Sequence, residues 1–135
     1  MNVMGEQMQP LVRILYAEDE PDIQKLASMA LELIGGFTLK TCSSGLEALN
    51  EIEAFEPQLL LFDVMMPGLN GPEALKKIRK IEAYSDTPTI FITANSQPDQ
   101  VQGYLDIGAV DVITKPFDPM TLAQQIQGTW AKVGV

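Results

Sequence analysis

Gln58-Leu59-Leu60-Leu61-Phe62-Asp63, continued by Val64-Met65-Met66-Pro67-Gly68-Leu69-Asn70-Gly71, is the stretch that decides how this chain is read. An uninterrupted apolar run this short, bounded by turn-forming residues, is the pattern of a strand buried on both faces. Asp63 stands at its carboxyl end, and the Pro-Gly and Asn-Gly pairs beyond it mark a loop. An acid at the mouth of a buried strand serves chemistry more often than packing. Two other apolar runs end in the same way: 12–17 leads into Glu18-Asp19-Glu20, and 110–114 leads into Lys115. If the three runs are neighbouring parallel strands, their charged ends meet at one edge of one sheet.

Outward from this stretch, short apolar runs alternate with segments of helical periodicity. The expected strands are 11–17, 37–42, 58–63, 88–94 and 110–114. The expected helices are 21–34, 45–54, 72–84, 98–107 and 119–132. Pro21, Pro72, Pro98 and Pro119 each fall near a first helical turn, where a missing N–H costs little. Gly35-Gly36 and Gly108 close the first and fourth helices. Ile23, Leu26, Ala27, Ala30, Leu31 and Ile34 form a core stripe on the first helix, and Leu122, Ile126, Trp130 and Val133 form one on the last. The reading is one α/β domain over 11–135, five βα units with a parallel five-stranded sheet, preceded by a flexible polar tail over 1–10. Ligands of such sheets bind outside the carboxyl ends of the strands, where Glu18, Asp19, Asp63, Thr93 and Lys115 lie.

Composition narrows the function. The formal net charge is −9, with 18 acidic and 9 basic residues, which argues against nucleic acid as a partner and for proteins and cations. Cys42 is the single cysteine, so no disulfide can form within the chain, and a cytoplasmic setting is the simplest expectation. No stretch has the ~20 apolar residues of a membrane span, so no membrane partner is expected. Histidine is absent, which excludes a Ser-His-Asp triad and places any phosphohistidine on another molecule.

The acids and the lysine carry the chemistry. Carboxylates packed together repel by about 4 kcal/mol per close pair at an effective dielectric of 20, so something positive must join them. Oxygen-only ligands select a hard cation, and magnesium suits a few carboxylates with positions left for water and phosphate oxygens. Lys115 is a mobile point charge fit to hold a phosphoryl oxygen. A carboxylate nucleophile, a divalent cation and an ammonium are the parts needed to move a phosphoryl group onto an aspartate. Thr93 adds a hydroxyl at the same rim. Each residue alone has an ordinary role: Glu18-Asp19-Glu20 as a helix N-terminal cluster, Asp63 in a turn, Lys115 on a solvated loop, Thr93 in a strand. Their convergence on one edge favours the chemical role. Met65 and Met66 read as loop packing, and Cys42 as an inert edge-strand residue.

At these residues the chain resembles the receiver domains of bacterial two-component response regulators. The motifs are Ala17-Glu18-Asp19-Glu20, Phe62-Asp63-Val64-Met65-Met66-Pro67-Gly68, Thr93-Ala94 and Thr114-Lys115-Pro116-Phe117, and the likeness covers nearly everything from Arg13 to Trp130. The resemblance implies a flavodoxin-like (βα)5 three-layer sandwich with strand order 2-1-3-4-5. It also implies Asp63 as phosphoacceptor and a magnesium site in which Asp19 binds directly, Glu18 acts through water and the Met65 carbonyl completes the set. Lys115 would hold a phosphoryl oxygen, its bond to Pro116 would be cis, and Thr93 would be the switch hydroxyl. The implied partners are a histidine kinase or histidine phosphotransfer protein, and a downstream protein on the face of the fourth helix, fifth strand and fifth helix. A signalling switch rather than an enzyme is implied.

Two departures stand out: Glu18 where aspartate is commoner, and Val112 where an aromatic usually flips on activation. Output is therefore expected through Thr93 and the loop and helix after it. A dehalogenase-type aspartyl-phosphate hydrolase needs an acid at Met65, and a flavin carrier would be repelled by Glu18-Asp19-Glu20. Because the chain ends soon after the fifth helix, a stand-alone receiver is expected, with a receiver cut from a hybrid kinase or multidomain regulator as the alternative.

Overall fold

In the computed structural model, which describes residues 9–133, five strands form one parallel sheet in the order β2-β1-β3-β4-β5. They are β1 Arg13–Ala17, β2 Thr38–Cys42, β3 Leu59–Asp63, β4 Thr89–Thr93 and β5 Asp111–Thr114. The crossovers that parallel pairing demands are α1 Pro21–Met29, α2 Gly45–Phe55, α3 Gly71–Ile78 and α4 Pro98–Asp106, with α5 Leu122–Val133 closing the fold. Every residue of β3 and β4 is buried, which explains their unbroken apolar runs: helices cover both faces. Ile14, Leu61 and Ile92 pack with Leu31, just beyond the end of α1, and with Ile126 and Trp130 of α5. Leu15, Leu60 and Phe91 pack on the other face with Ile52 of α2 and Leu75 and Ile78 of α3. The expected sheet order and five βα units are thus observed, with each strand starting one or two residues later than the apolar runs suggest.

Helix ends differ more. The first helix is α-helical to Met29 and continues as a π-helical stretch, Ala30–Ile34, in which Gly35 N–H reaches back to the Ala30 carbonyl at 3.1 Å. The wider winding turns Ile34 out of the stripe, leaving it 51 % exposed, and Leu26 is 47 % exposed, while Ala27, Ala30 and Leu31 are buried. α3 stops at Ile78 rather than continuing to 84. The Arg79 guanidinium donates to the Tyr84 and Thr87 carbonyls and ties the chain into a turn with a short 3-10 segment, Glu82–Tyr84. α5 begins at Leu122, not 119, because Asp118 holds the amides of Met120 and Thr121 in a turn. Pro119 therefore precedes the helix, whereas Pro21, Pro72 and Pro98 occupy first turns.

Of the tail expected over 1–10, residues 1–8 lie outside the described residues. Gln9 and Pro10 are exposed, and their carbonyls accept from Trp130 Nε1 and Gln58 Nε2. Among the described residues no helix is long and apolar enough to cross a membrane.

Candidate functional site

Register brings the expected residues together. Ala17 pairs with Phe62, Asp63 with Ile92 and Thr93 with Thr114, so the carboxyl ends of β1, β3, β4 and β5 are level. The ladder runs one residue further at both flanks: Glu18 N–H donates to the Cys42 carbonyl at 3.0 Å and Lys115 N–H to the Thr93 carbonyl at 2.8 Å. Carboxylate oxygens of Glu18, Asp19 and Asp63 consequently lie within 4.8 Å of one another. Glu18 is fully buried and Asp63 is 3 % exposed.

Lys115 Nζ sits 2.9 Å from Asp63 Oδ1, 3.0 Å from Glu18 Oε1 and 3.8 Å from Glu20 Oε1. Its peptide bond to Pro116 is cis. One ammonium does not balance this cluster. Burial pushes the Asp63 carboxyl up to about 6, with the Glu18 charge adding to the rise and Lys115 opposing it. Burial likewise raises Glu18, against the Glu20 amide and Lys115. For Lys115 burial favours the neutral amine, but its close pairing with the Asp63 and Glu18 carboxylates outweighs this and raises its pKa. At about 6, the Asp63 carboxyl ionises below neutral pH. A hard divalent cation fits this all-oxygen, under-compensated donor set.

The loop after Asp63 folds tightly back on it. A Cβ on Gly71 would stand 2.5 Å from the Asp63 carbonyl oxygen, and Gly68 holds a φ of +74° in the turn, a conformation glycine adopts without a steric penalty. Met66 is buried, as loop packing requires, whereas the Met65 side chain is 75 % exposed. At the other side of the rim Thr93 is 3 % exposed, and its Oγ1 accepts from Asn95 N–H at 3.0 Å. Asn95 Oδ1 in turn accepts from Gln97 N–H. Val112 is half-buried, and the aromatic contact nearby is between Phe91 and Tyr104 of α4, edge-on with centroids 5.6 Å apart. Cys42 is buried and burial pushes its thiol up to about 12, so it is not a reactive thiolate.

Two participants escaped the sequence reading. Gln24 Nε2 donates to the Glu18 carbonyl at 2.9 Å and contacts the Cys42 carbonyl at 3.3 Å, bracing the base of the acidic cluster. Tyr16, fully buried, lies on the same strand face as Glu18. Its place two residues before the acids, at the strand period, was the available signal.

The sequence model described as the response regulator receiver domain matches residues 14–127. The CpxR homolog of Haemophilus influenzae, a transcriptional regulatory protein, is 41 % identical over 117 residues, covering 85 % of this chain and 48 % of its own. The chain spans about half the length of the curated relatives it matches. Among solved structures, the Vibrio cholerae chemotaxis response regulator CheY4 superposes with a TM-score of 0.82 at 28 % identity, over 89 % of this chain and 99 % of that one. The BeF3-activated DrrB receiver domain does so with a TM-score of 0.76 at 29 % identity, over 90 % and 99 %.

Proposed function

This chain belongs to the response regulator receiver family, and from that premise we propose that it is a phosphoacceptor switch charged at Asp63 by a phosphohistidine partner. The observation that carries the reading is the buried Asp63 carboxylate, 2.9 Å from the Lys115 ammonium and clustered with the Glu18 and Asp19 oxygens. Asp63 attacks phosphorus; the new oxygen–phosphorus bond forms as the phosphorus–nitrogen bond breaks, and the imidazole keeps the electron pair. Asp19, Asp63, the Met65 carbonyl and, through water, Glu18 would hold magnesium, which when bound neutralises charge on the transferring group. Lys115 shifts from the carboxylates to a phosphoryl oxygen. Thr93 Oγ1, already an acceptor for Asn95 N–H, donates its proton to another, and this draws in the loop that leads to α4.

Surface chemistry supports two docking faces. Ile23, Leu26, Ala94, Pro116 and Phe117 line a mostly apolar cavity of about 280 Å³ beside Lys115, and exposed Met29, Leu33 and Met120 extend apolar surface on that flank. A histidine kinase or phosphotransfer domain would dock there, next to the nucleophile. Leu105, Ile107 and Val110, exposed at the α4–β5 end, offer the downstream protein a surface whose form follows Thr93. Relatives such as the Haemophilus influenzae CpxR homolog are transcriptional regulatory proteins; for the part matched here, the partners are proteins in the cytoplasm.

Incubation with a small acyl phosphate and magnesium should give one phosphate on Asp63 by mass spectrometry, and none in Asp63→Asn. Phosphate persisting on that variant would show the nucleophile to be misassigned.

A further inference from the structure

Among the described residues, two buried side-chain polar atoms lack a hydrogen-bond partner, and they belong to residues two apart in sequence: the Tyr16 hydroxyl and Glu18 Oε1. Lys115 is 3.0 Å from the latter, an ion-pair contact without hydrogen-bond alignment. Side chains alternate along a strand, and the ladder bond from Glu18 N–H to Cys42 carries the extended backbone past Ala17. Tyr16 and Glu18 therefore rise from the same face of β1. Leu61, the partner of Tyr16, is followed at the same period by Asp63 on β3. After burial, the charges of Glu18 and Asp63 are what most oppose ionisation of the phenol, so both carboxylates act on it electrostatically and it stays a donor at any working pH.

A core tyrosine whose hydroxyl meets nothing is a poor choice for packing alone, since phenylalanine fills the same space without burying an unsatisfied donor. The loaded site gives that donor work. Lys115 now shares its charge among Asp63, Glu18 and Glu20; once it turns to a phosphoryl oxygen, Glu18 Oε1 loses that contact, and the Tyr16 hydroxyl is the orphan donor on its face of β1. We propose that Tyr16 is a positioning residue for the phosphorylated state, its hydroxyl donating to Glu18 Oε1 and holding the glutamate arm toward the cation's water when Lys115 leaves. This rests on the receiver reading above.

Tyr16→Phe removes one oxygen and keeps the ring. Its metal-free melting temperature should equal or exceed that of the unsubstituted protein, because the orphan hydroxyl is gone. Magnesium affinity in the presence of beryllium fluoride, by titration calorimetry, should fall about tenfold, the worth of one hydrogen bond to a charged group. In a Glu18→Asp background, whose shorter arm withdraws the carboxylate, the same change should shift affinity by less than about twofold. An unchanged affinity in Tyr16→Phe, a lowered metal-free melting temperature, or an undiminished loss in the Glu18→Asp background would each overturn the role of Tyr16 and leave the receiver reading standing. Failure of the unsubstituted protein to bind magnesium and beryllium fluoride would overturn both.

Discussion

α3 and α4 both leave the carboxyl edge of the sheet just beyond a site residue, α3 after the Asp63 loop and α4 after the Thr93 loop, yet they are secured very differently. α3 opens with a capping box between Asn70 and Glu73 and buries Gly71, Ala74, Leu75 and Ile78. α4 has no side-chain cap at Gln97 and buries none of its residues. Its interior also contains Gly103, and a glycine inside a helix costs roughly 1 kcal/mol relative to alanine. Local stability varies across a fold, and the elements that move come from its weak end. The proposed nucleophile is thus followed by a fixed wall and the proposed switch hydroxyl by a loosely held helix, so a rearrangement starting at Asp63 would have one easy direction.

The comparison breaks first if the two helices prove equally important to stability. Leu75→Ala, at a site 1 % exposed, should cost about 2–5 kcal/mol in denaturant titration. Leu105→Ala, at a site 38 % exposed, should cost less than about 1 kcal/mol. Similar losses would remove the asymmetry.

Charge at the rim between the helices gives the next effect. The folded pKa of Asp63, about 6, lies above the ~3.9 of an unfolded aspartate, so the native state binds the proton more tightly. Its stabilising contribution is full below about pH 4 and is lost as pH rises through about 6. In chelator, stability of the unsubstituted protein relative to Asp63→Asn should therefore fall by on the order of 2–3 kcal/mol between pH 4 and 7. A pH-independent difference would show that the carboxylate is not strained. The smallest effect sharpens the comparison. A Cβ at Gly103 meets nothing within 4 Å, so Gly103→Ala should stabilise α4 by up to ~1 kcal/mol and slow amide exchange over 98–106, with α3 unchanged.

The asymmetry was partly legible in the sequence. Gly103 and the glutamines of 97–102 are visible in the sequence as features that weaken α4, and Glu18, Asp19, Asp63, Thr93 and Lys115 could each be picked out at the end of an apolar run, because period and strand ends are local properties; the Met65 carbonyl came only through the family resemblance. The ends of α3 and α5 were not legible, since they depend on where Arg79 and Asp118 find their acceptors and donors. The exposure of Ile34 follows from a π-helical turn that periodicity assumes away. Gln24 was missed because its acceptors are backbone carbonyls brought together only by the β1–β2 pairing, and Tyr16 because a strand tyrosine reads as one more apolar residue.

Amide hydrogen exchange of the full chain, with and without magnesium and beryllium fluoride, measures the one-sided response directly. Exchange should change most between Thr93 and Gly108 and little between Gly71 and Ile78, and Thr93→Ala should bind the phosphoryl mimic but lose most of the change. A response centred on α3, or one undiminished in Thr93→Ala, would contradict a switch that runs from Asp63 through Thr93 into α4.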